Sequence, residues 1–274
     1  MALIGGPGYG FDHITTGRFL VGLYGAYLML GAALMSILTV SRHTRVEEQT
    51  GRAELIRANV VGRHAPLAAA LILIALMNVL MAALMTIVFY VSPADPGSFP
   101  SSLLFAGGIG AVGLVFAGVT AVTVQLSPFS RAASGVAGAV LAVSFIVRGL
   151  GDMSAVQGGD LDWLSWLSPL GWSQQTAPLT LDRWWPLLLS LAATVLLVAA
   201  GFALQSRRDL DAGILPDRLG SATAPPWLTG PLSLAFRLQR AGLAWWSFAM
   251  LVAGVVFGAF VESMAESAAG MPPE

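Results

Sequence analysis

The chain has 274 residues, 56% of them hydrophobic and only 11% charged, with a formal net charge of −1. Soluble domains carry about 25% charged residues, so this composition defines a membrane protein. There is no Cys, which excludes disulfide frameworks and Cys-based metal or redox centres. A near-neutral charge supplies no basic surface for nucleic acid.

The lead "GGPGYG", Gly5–Gly10, has the look of a phosphate-binding glycine loop but precedes no soluble βαβ unit, and reads as a flexible lead. The first apolar run, Arg18–Val40, is too long for a signal peptide, and its Gly-rich lead has no Arg or Lys. Five further runs follow: Pro66–Val91, Ser102–Val124, Arg131–Leu150, Trp184–Leu204 and Gly242–Val261. Each reaches or exceeds the roughly 20 residues that a helix needs to cross a bilayer. The expected fold class is therefore all-α, a polytopic membrane protein with six transmembrane helices. Gly and Ala recur inside the runs, as helices that pack closely in lipid require.

Between the first two runs lies "SRHTRVEEQTGRAELIRANVVGRHAP", Ser41 to Pro66, the most densely charged stretch. Glu48 stands four residues before Arg52, the favourable order for a helix pair. Val46, Ala53, Ile56 and Val60 fall on one apolar face, while Gly51 and Gly62 interrupt it. Two readings fit: a surface helix in the lipid interface with snorkelling Arg, or a docking element for a cytoplasmic partner.

The segment Gly151–Trp185 holds Trp163, Trp166, Trp172, Trp184 and Trp185, five of the eight Trp. "DWLSWLSPLGW" is too short and polar to span. It reads either as an interfacial aromatic belt or as a hairpin that dips and returns, with Pro169 and Gly171 at its turn. Irregular backbone at that depth needs burial in protein or a wet cavity.

Orientation follows from Arg, since cytoplasmic loops are enriched in basic residues. All fourteen basic residues are Arg. Placing Ser41–Ala65, Gln125–Ser130 with Arg131 at its edge, and Gln205–Ala241 inside gathers eleven of them there and leaves Arg18, Arg148 and Arg183 outside. Both termini are then outside.

Ionisable residues are absent near the midpoints of the runs, which argues against proton relays, ion-coupled pumps and rhomboid-type proteases. "GLGD", Gly149–Asp152, matches the G-x-G-D of intramembrane aspartyl proteases, but no second intramembrane Asp exists to share its proton. Asp152 reads instead as a helix-end residue paired with Arg148 one turn earlier. A P-loop needs Lys, and there is none, so any ATP chemistry belongs to another chain. His13, His43 and His64 all lie in loops and read as solvated.

In this order the motifs "SRHTRVEEQTGRAELIRANVVGRHAPLAAAL", "FIVRGLGD", "WLSWLSPLGWSQQTAPL", "RRDLDAGILPDRLG" and "PLSLAFRLQRAGLAWWS" resemble permeases of type-2 ATP-binding-cassette exporters, in the branch of polyketide-antibiotic exporters. The resemblance covers most of the chain. It implies a single transmembrane permease domain over residues 1–274 in a bacterial plasma membrane, exporting hydrophobic or amphiphilic compounds. It carries no cofactor in this chain, ATP-Mg residing on cytoplasmic ATPase subunits, and is not itself an enzyme. It implies that Glu47, Glu48, Gly51, Arg52, Glu54 and Arg57 form the coupling helix that docks on the ATPase. It also implies that Asp162–Gln175, with Trp163, Trp166, Pro169, Gly171 and Trp172, is a re-entrant outer hairpin.

Family members run to about double this length as two halves. Arg18–Val40 then matches the second helix of a half, and Gly242–Val261 the first helix of the next. Gly22, Gly25 and Ala26 at one end, with Gly254 and Gly258 at the other, are expected to present unfilled small-residue faces, which either satisfy each other within the chain or recruit a second membrane half. Recruitment is the expectation, because an exporter needs two halves around its pathway. The rival class is a non-transporting membrane scaffold that holds a partner through residues 41–65.

Overall fold

Proline sets where several helices begin. Pro66, Pro100, Pro169 and Pro186 each sit in a first turn, where the missing N–H costs nothing. The computed structural model describes residues 15–52, 61–93, 98–209, 212–215 and 223–269, without the side chains of 252, 253 and 255–269. All regular structure among them is helical.

Helix α1 spans Thr16–Ser41 and runs through a π-helical turn, Arg42–Val46, into the short α2, Glu47–Gln49. Then come α3 (Ala65–Tyr90), α4 (Phe99–Leu126) and α5 (Ser130–Gln157). A 3₁₀ turn, Asp162–Leu167, leads to α6 (Pro169–Gln175), followed by α7 (Pro186–Gln205) and α8 (Pro231–Ala269). Five of these runs are long and apolar enough to cross a membrane: Thr16–Gln49, Ala65–Tyr90, Phe99–Leu126, Ser130–Gln157 and Pro186–Gln205. At 1.5 Å per residue, the 26 residues of α3 reach about 39 Å, more than a hydrocarbon core of about 30 Å. The sixth apolar run, Gly242–Val261, is helical within α8.

The chain forms two compact units, Met1–Asp217 and Arg218–Glu274. In the first, α4 is the central helix and packs on α1, α3, α5, α6 and α7. It is buried along most of its length, whereas α3 and α7 expose most of theirs. Glycine makes this possible. A Cβ on Gly118 would stand 2.8 Å from the Leu197 side chain of α7, and one on Gly113 would overlap the Asn78 amide of α3. Close backbone approach of this kind replaces the hydrophobic drive that lipid removes.

Asn78 is 1% exposed and donates to Ser36 Oγ of α1 at 3.1 Å and to Ile74 O at 2.9 Å. It ties α3 to α1 inside the bundle. Nothing in the apolar pattern distinguishes it from a lipid-facing position. The core itself is built from Met29, Ala33 and Ile37 of α1, Phe105, Ile109, Val112 and Phe116 of α4, and Ala137 and Leu141 of α5.

One expectation is corrected here. Gly25 and Ala26 of α1 do not face an unfilled surface. Both are buried, and a Cβ on Gly25 would meet Phe105 of α4 at 3.3 Å. The central helix occupies the small-residue face that the sequence left open.

Candidate functional site: a charged clamp and a packed hairpin at opposite ends of the bundle

At one end meet the close of α1, the start of α3, the close of α4, the start of α5 and the close of α7. The π turn continues α1 here and packs against α3 and α5, with Thr44 and Arg45 buried. Single π turns interrupt helices frequently at functional positions. Thr44 Oγ1 donates to Val40 O at 2.6 Å, and Ser134 of α5 donates to Ser41 Oγ at 2.8 Å.

The turn points Arg45 inward, where it is 1% exposed. Its Nη1 donates to Glu48 Oε2 at 2.7 Å, its Nη2 to Ala212 O at 3.1 Å, and its Nε to Val124 O of α4. Arg208, just past α7, reaches the same carboxylate with Nη2 at 2.8 Å from Oε1 and Nη1 at 3.2 Å from Oε2. Its Nε donates to Gln125 Oε1 at 2.5 Å. Glu48 thus holds two buried guanidiniums, one of them bidentately, the geometry that makes charge-assisted bonds strongest. Around this clamp, Arg63 donates to Gln205 O at 2.8 Å and also to Arg208 O. Gln49 bridges to Pro128 O at 3.3 Å and accepts from Ser130 Oγ at 2.7 Å.

Of the residues expected to form the coupling helix, Glu47, Glu48, Gly51 and Arg52 are described, while Glu54 and Arg57 lie outside the described residues, as do Ala53, Ile56 and Val60. The expected Glu48–Arg52 pair is not what forms. Glu48 turns into the bundle to Arg45 and Arg208, and Arg52 is exposed. Gly51 explains the difference: at φ +73° it takes the left-handed conformation that ends the helix, which breaks the i,i+4 geometry. Glu47 remains near the surface, 3.3 Å from His43 Nδ1. Arg208 and Gln125 were not singled out from sequence; they lie 160 and 77 positions from Glu48, and only the fold brings them together.

At the opposite end, the close of α5 meets the hairpin. Arg148 and Asp152 form the expected pair one turn apart, Nη1 to Oδ2 at 3.6 Å, and both are fully buried. Ser165 donates to Asp152 Oδ1 at 2.6 Å, and Arg148 Nη1 donates to Gln174 Oε1 at 2.7 Å. The Arg148 guanidinium also lies 4.7 Å from the Phe145 ring centroid. One ion pair therefore fixes both limbs of the hairpin to α5.

The segment Asp162–Gln175 is packed into the bundle end, with Ser165, Leu170 and Ser173 buried. Trp172 Nε1 donates to Trp166 O at 2.6 Å, and Trp166 stacks on Trp185 with centroids 5.1 Å apart. Trp163 stays exposed. Ser168 joins the limbs in extended conformation and Pro169 begins α6. Gly171 is not part of the turn. It lies inside α6, where a Cβ would collide with the Ser165 carbonyl. Gly171→Ala is expected to prise the limbs apart and cost about 1–3 kcal/mol, the usual scale of overpacking. Thermal unfolding in lipid nanodiscs measures this, and an unchanged midpoint would refute the tight packing. Beyond α6, Ala177, Leu179 and Asp182 all have positive φ, a cluster of strain held by Ser101 donating to Asp182 Oδ2 at 2.8 Å and Arg18 donating to Leu179 O at 3.1 Å.

No group of three or more potential metal ligands exists among the described residues. A helical bundle with five spans long and apolar enough to cross a membrane, a charged clamp on one end and an aromatic hairpin on the other defines a polytopic membrane protein. The chain belongs to the family described as "Multidrug efflux system permease Rv1217c, C-terminal domain", which it matches over residues 11–204 and 228–273. It is 38% identical over 261 residues to the multidrug efflux system permease protein Rv1217c of Mycobacterium tuberculosis (strain ATCC 25618 / H37Rv), an alignment that covers 95% of this chain and 45% of that protein. The chain thus spans about half the length of the curated relative it matches.

Proposed function

We propose that this chain is a membrane-spanning permease subunit of an ATP-driven exporter of hydrophobic or amphiphilic compounds, worked by a separate ABC-type ATPase. Family membership and five apolar spans support the permease role. The observation that carries the coupling reading is the clamp of Arg45, Glu48 and Arg208. A coupling element has to transmit force, and a loop free to bend would dissipate it. Here the turn that carries Glu47 and Gly51 is tied through Arg45 to Val124 O and through Arg208 to Gln125, both on the central helix. A push on this turn reaches α4 directly.

In this reading Ser41–Ala65 faces the cytoplasm, both termini lie outside, and ATP-Mg binds only on the partner. A second membrane half, a copy of this chain or another, completes the pathway. Co-purification with a candidate ATPase, then drug-stimulated ATP hydrolysis in lipid, tests it. Stimulation by hydrophobic drugs is expected, and an ATPase that neither binds nor responds would sink the proposal. Topology has its own check, because the native chain has no Cys. A Cys at the exposed Thr50 should resist an impermeant maleimide in intact cells and react in inverted vesicles. Labelling in intact cells would reverse the orientation.

A further inference from the structure

A cavity of about 310 Å³ lies between the π turn and the start of α3. Its origin is legible in the sequence. Ala65, Ala69 and Ala70 place small side chains on one side of α3, so this wall lacks bulk beside the π turn. Pro66 and Leu73 complete the wall, and Leu73 is exposed on the apolar surface of the helix. His43 and Glu47 line the other end. The cavity therefore has a polar mouth where the apolar span begins and an oily shaft that follows the span.

Among the described lining residues, Glu47 is the one carboxylate, and no Arg lines the cavity. Arg45 is turned inward to Glu48, and Arg63 donates into the Gln205–Arg208 backbone. Neither lines the cavity. Among the described residues no Arg pairs with the Glu47 carboxylate, unlike that of Glu48, and it accepts from the His43 ring. We infer that this cavity binds a single-chain alkylammonium amphiphile, with its cationic head on Glu47 and His43 and its first carbons along Ala65–Leu73. A carboxylate at the apolar–polar boundary selects a cation and rejects an anion of the same chain length. The volume is at the small end of ligand sites, which run from about 300 to 1,000 Å³, and suits one chain rather than two. Entry is sideways from the leaflet at this end of the bundle. The site stands independently of the coupling reading, since the membrane chain alone builds it.

Binding of dodecyltrimethylammonium to the full chain in phosphatidylglycerol nanodiscs tests it, with dodecyl sulfate and dodecyl maltoside as controls of equal chain length. Saturable binding of the ammonium probe alone is expected, weakened about 10-fold or more by Glu47→Gln, a factor that corresponds to one charge-assisted contact. Ala69→Leu, which fills the shaft, should weaken it similarly. A diazirine-bearing analogue should crosslink within residues 61–73, a readout that needs no variant to fold. Equal binding of the sulfate, indifference to both substitutions, or crosslinks confined to other helices would overturn the assignment. Displacement by phosphatidylethanolamine would overturn its single-chain part.

Discussion

Glu48→Arg is expected to cost about 3–5 kcal/mol, the scale for removing one partner from a buried ion pair. The side chains of Arg45 and Arg208 are 1% and 5% exposed, so neither can turn to water when the carboxylate goes. A third guanidinium would meet the two already there. An exposed pair such as Glu48–Arg52 would contribute only about 0.2–0.5 kcal/mol, so a large loss separates the clamp from a surface pair. Arg52→Glu, at an exposed position, should stay within about 0.5 kcal/mol. The swap Glu48→Arg with Arg208→Glu should recover part of the loss, because one opposite pair is restored while Arg45 keeps Val124 O and Ala212 O. Thermal unfolding of the four proteins in nanodiscs reads stability. Drug-stimulated hydrolysis with the ATPase reads coupling, and the swap should regain stability more fully than coupling. If Glu48→Arg melted with the wild type, the clamp would not hold the turn.

The helices were legible because lipid demands long apolar runs, and prolines mark where several start. Their ends were less so. The run Arg131–Leu150 stops short of Asp152, yet α5 continues to Gln157. The extra turns carry Gly151 and Asp152, whose polarity is absorbed by the hairpin through Ser165 rather than by water. The Arg148–Asp152 pair was readable because it lies within one turn. The clamp was not, because Arg208 comes from a loop after the fifth span. The i,i+4 spacing of Glu48 and Arg52 suggested a local partner that the left-handed Gly51 denies it. Asn78 escaped notice for a related reason. A search for ionisable groups passes over an amide, although its role in joining α3 to α1 depends on the same scarcity of water. The hairpin's packing likewise depends on Ser165, an unremarkable residue in sequence that meets Gly151 and Gly171 at once.

Arg148→Met is expected to destabilise the hairpin end by about 3–5 kcal/mol, because it strands the Asp152 carboxylate where no water reaches it. Gln174 loses its donor at the same time, so α6 loosens along with the carboxylate. The double variant Arg148→Met with Asp152→Leu should be far less affected. It removes both charges, and apolar pairs of similar volume often match or exceed the buried ion pairs they replace. Ser165 retains an acceptor in that background, since its hydroxyl already lies 3.3 Å from the Arg148 carbonyl, which substitution leaves in place. Phe145, now under the Arg148 guanidinium at 4.7 Å, would gain an apolar neighbour instead. The ion pair on this account orients the hairpin more than it stabilises it. The rank order of unfolding midpoints in nanodiscs decides the matter: wild type and double variant close together, the single variant well below both. A double variant as unstable as Arg148→Met would show that the pair contributes net stability of its own.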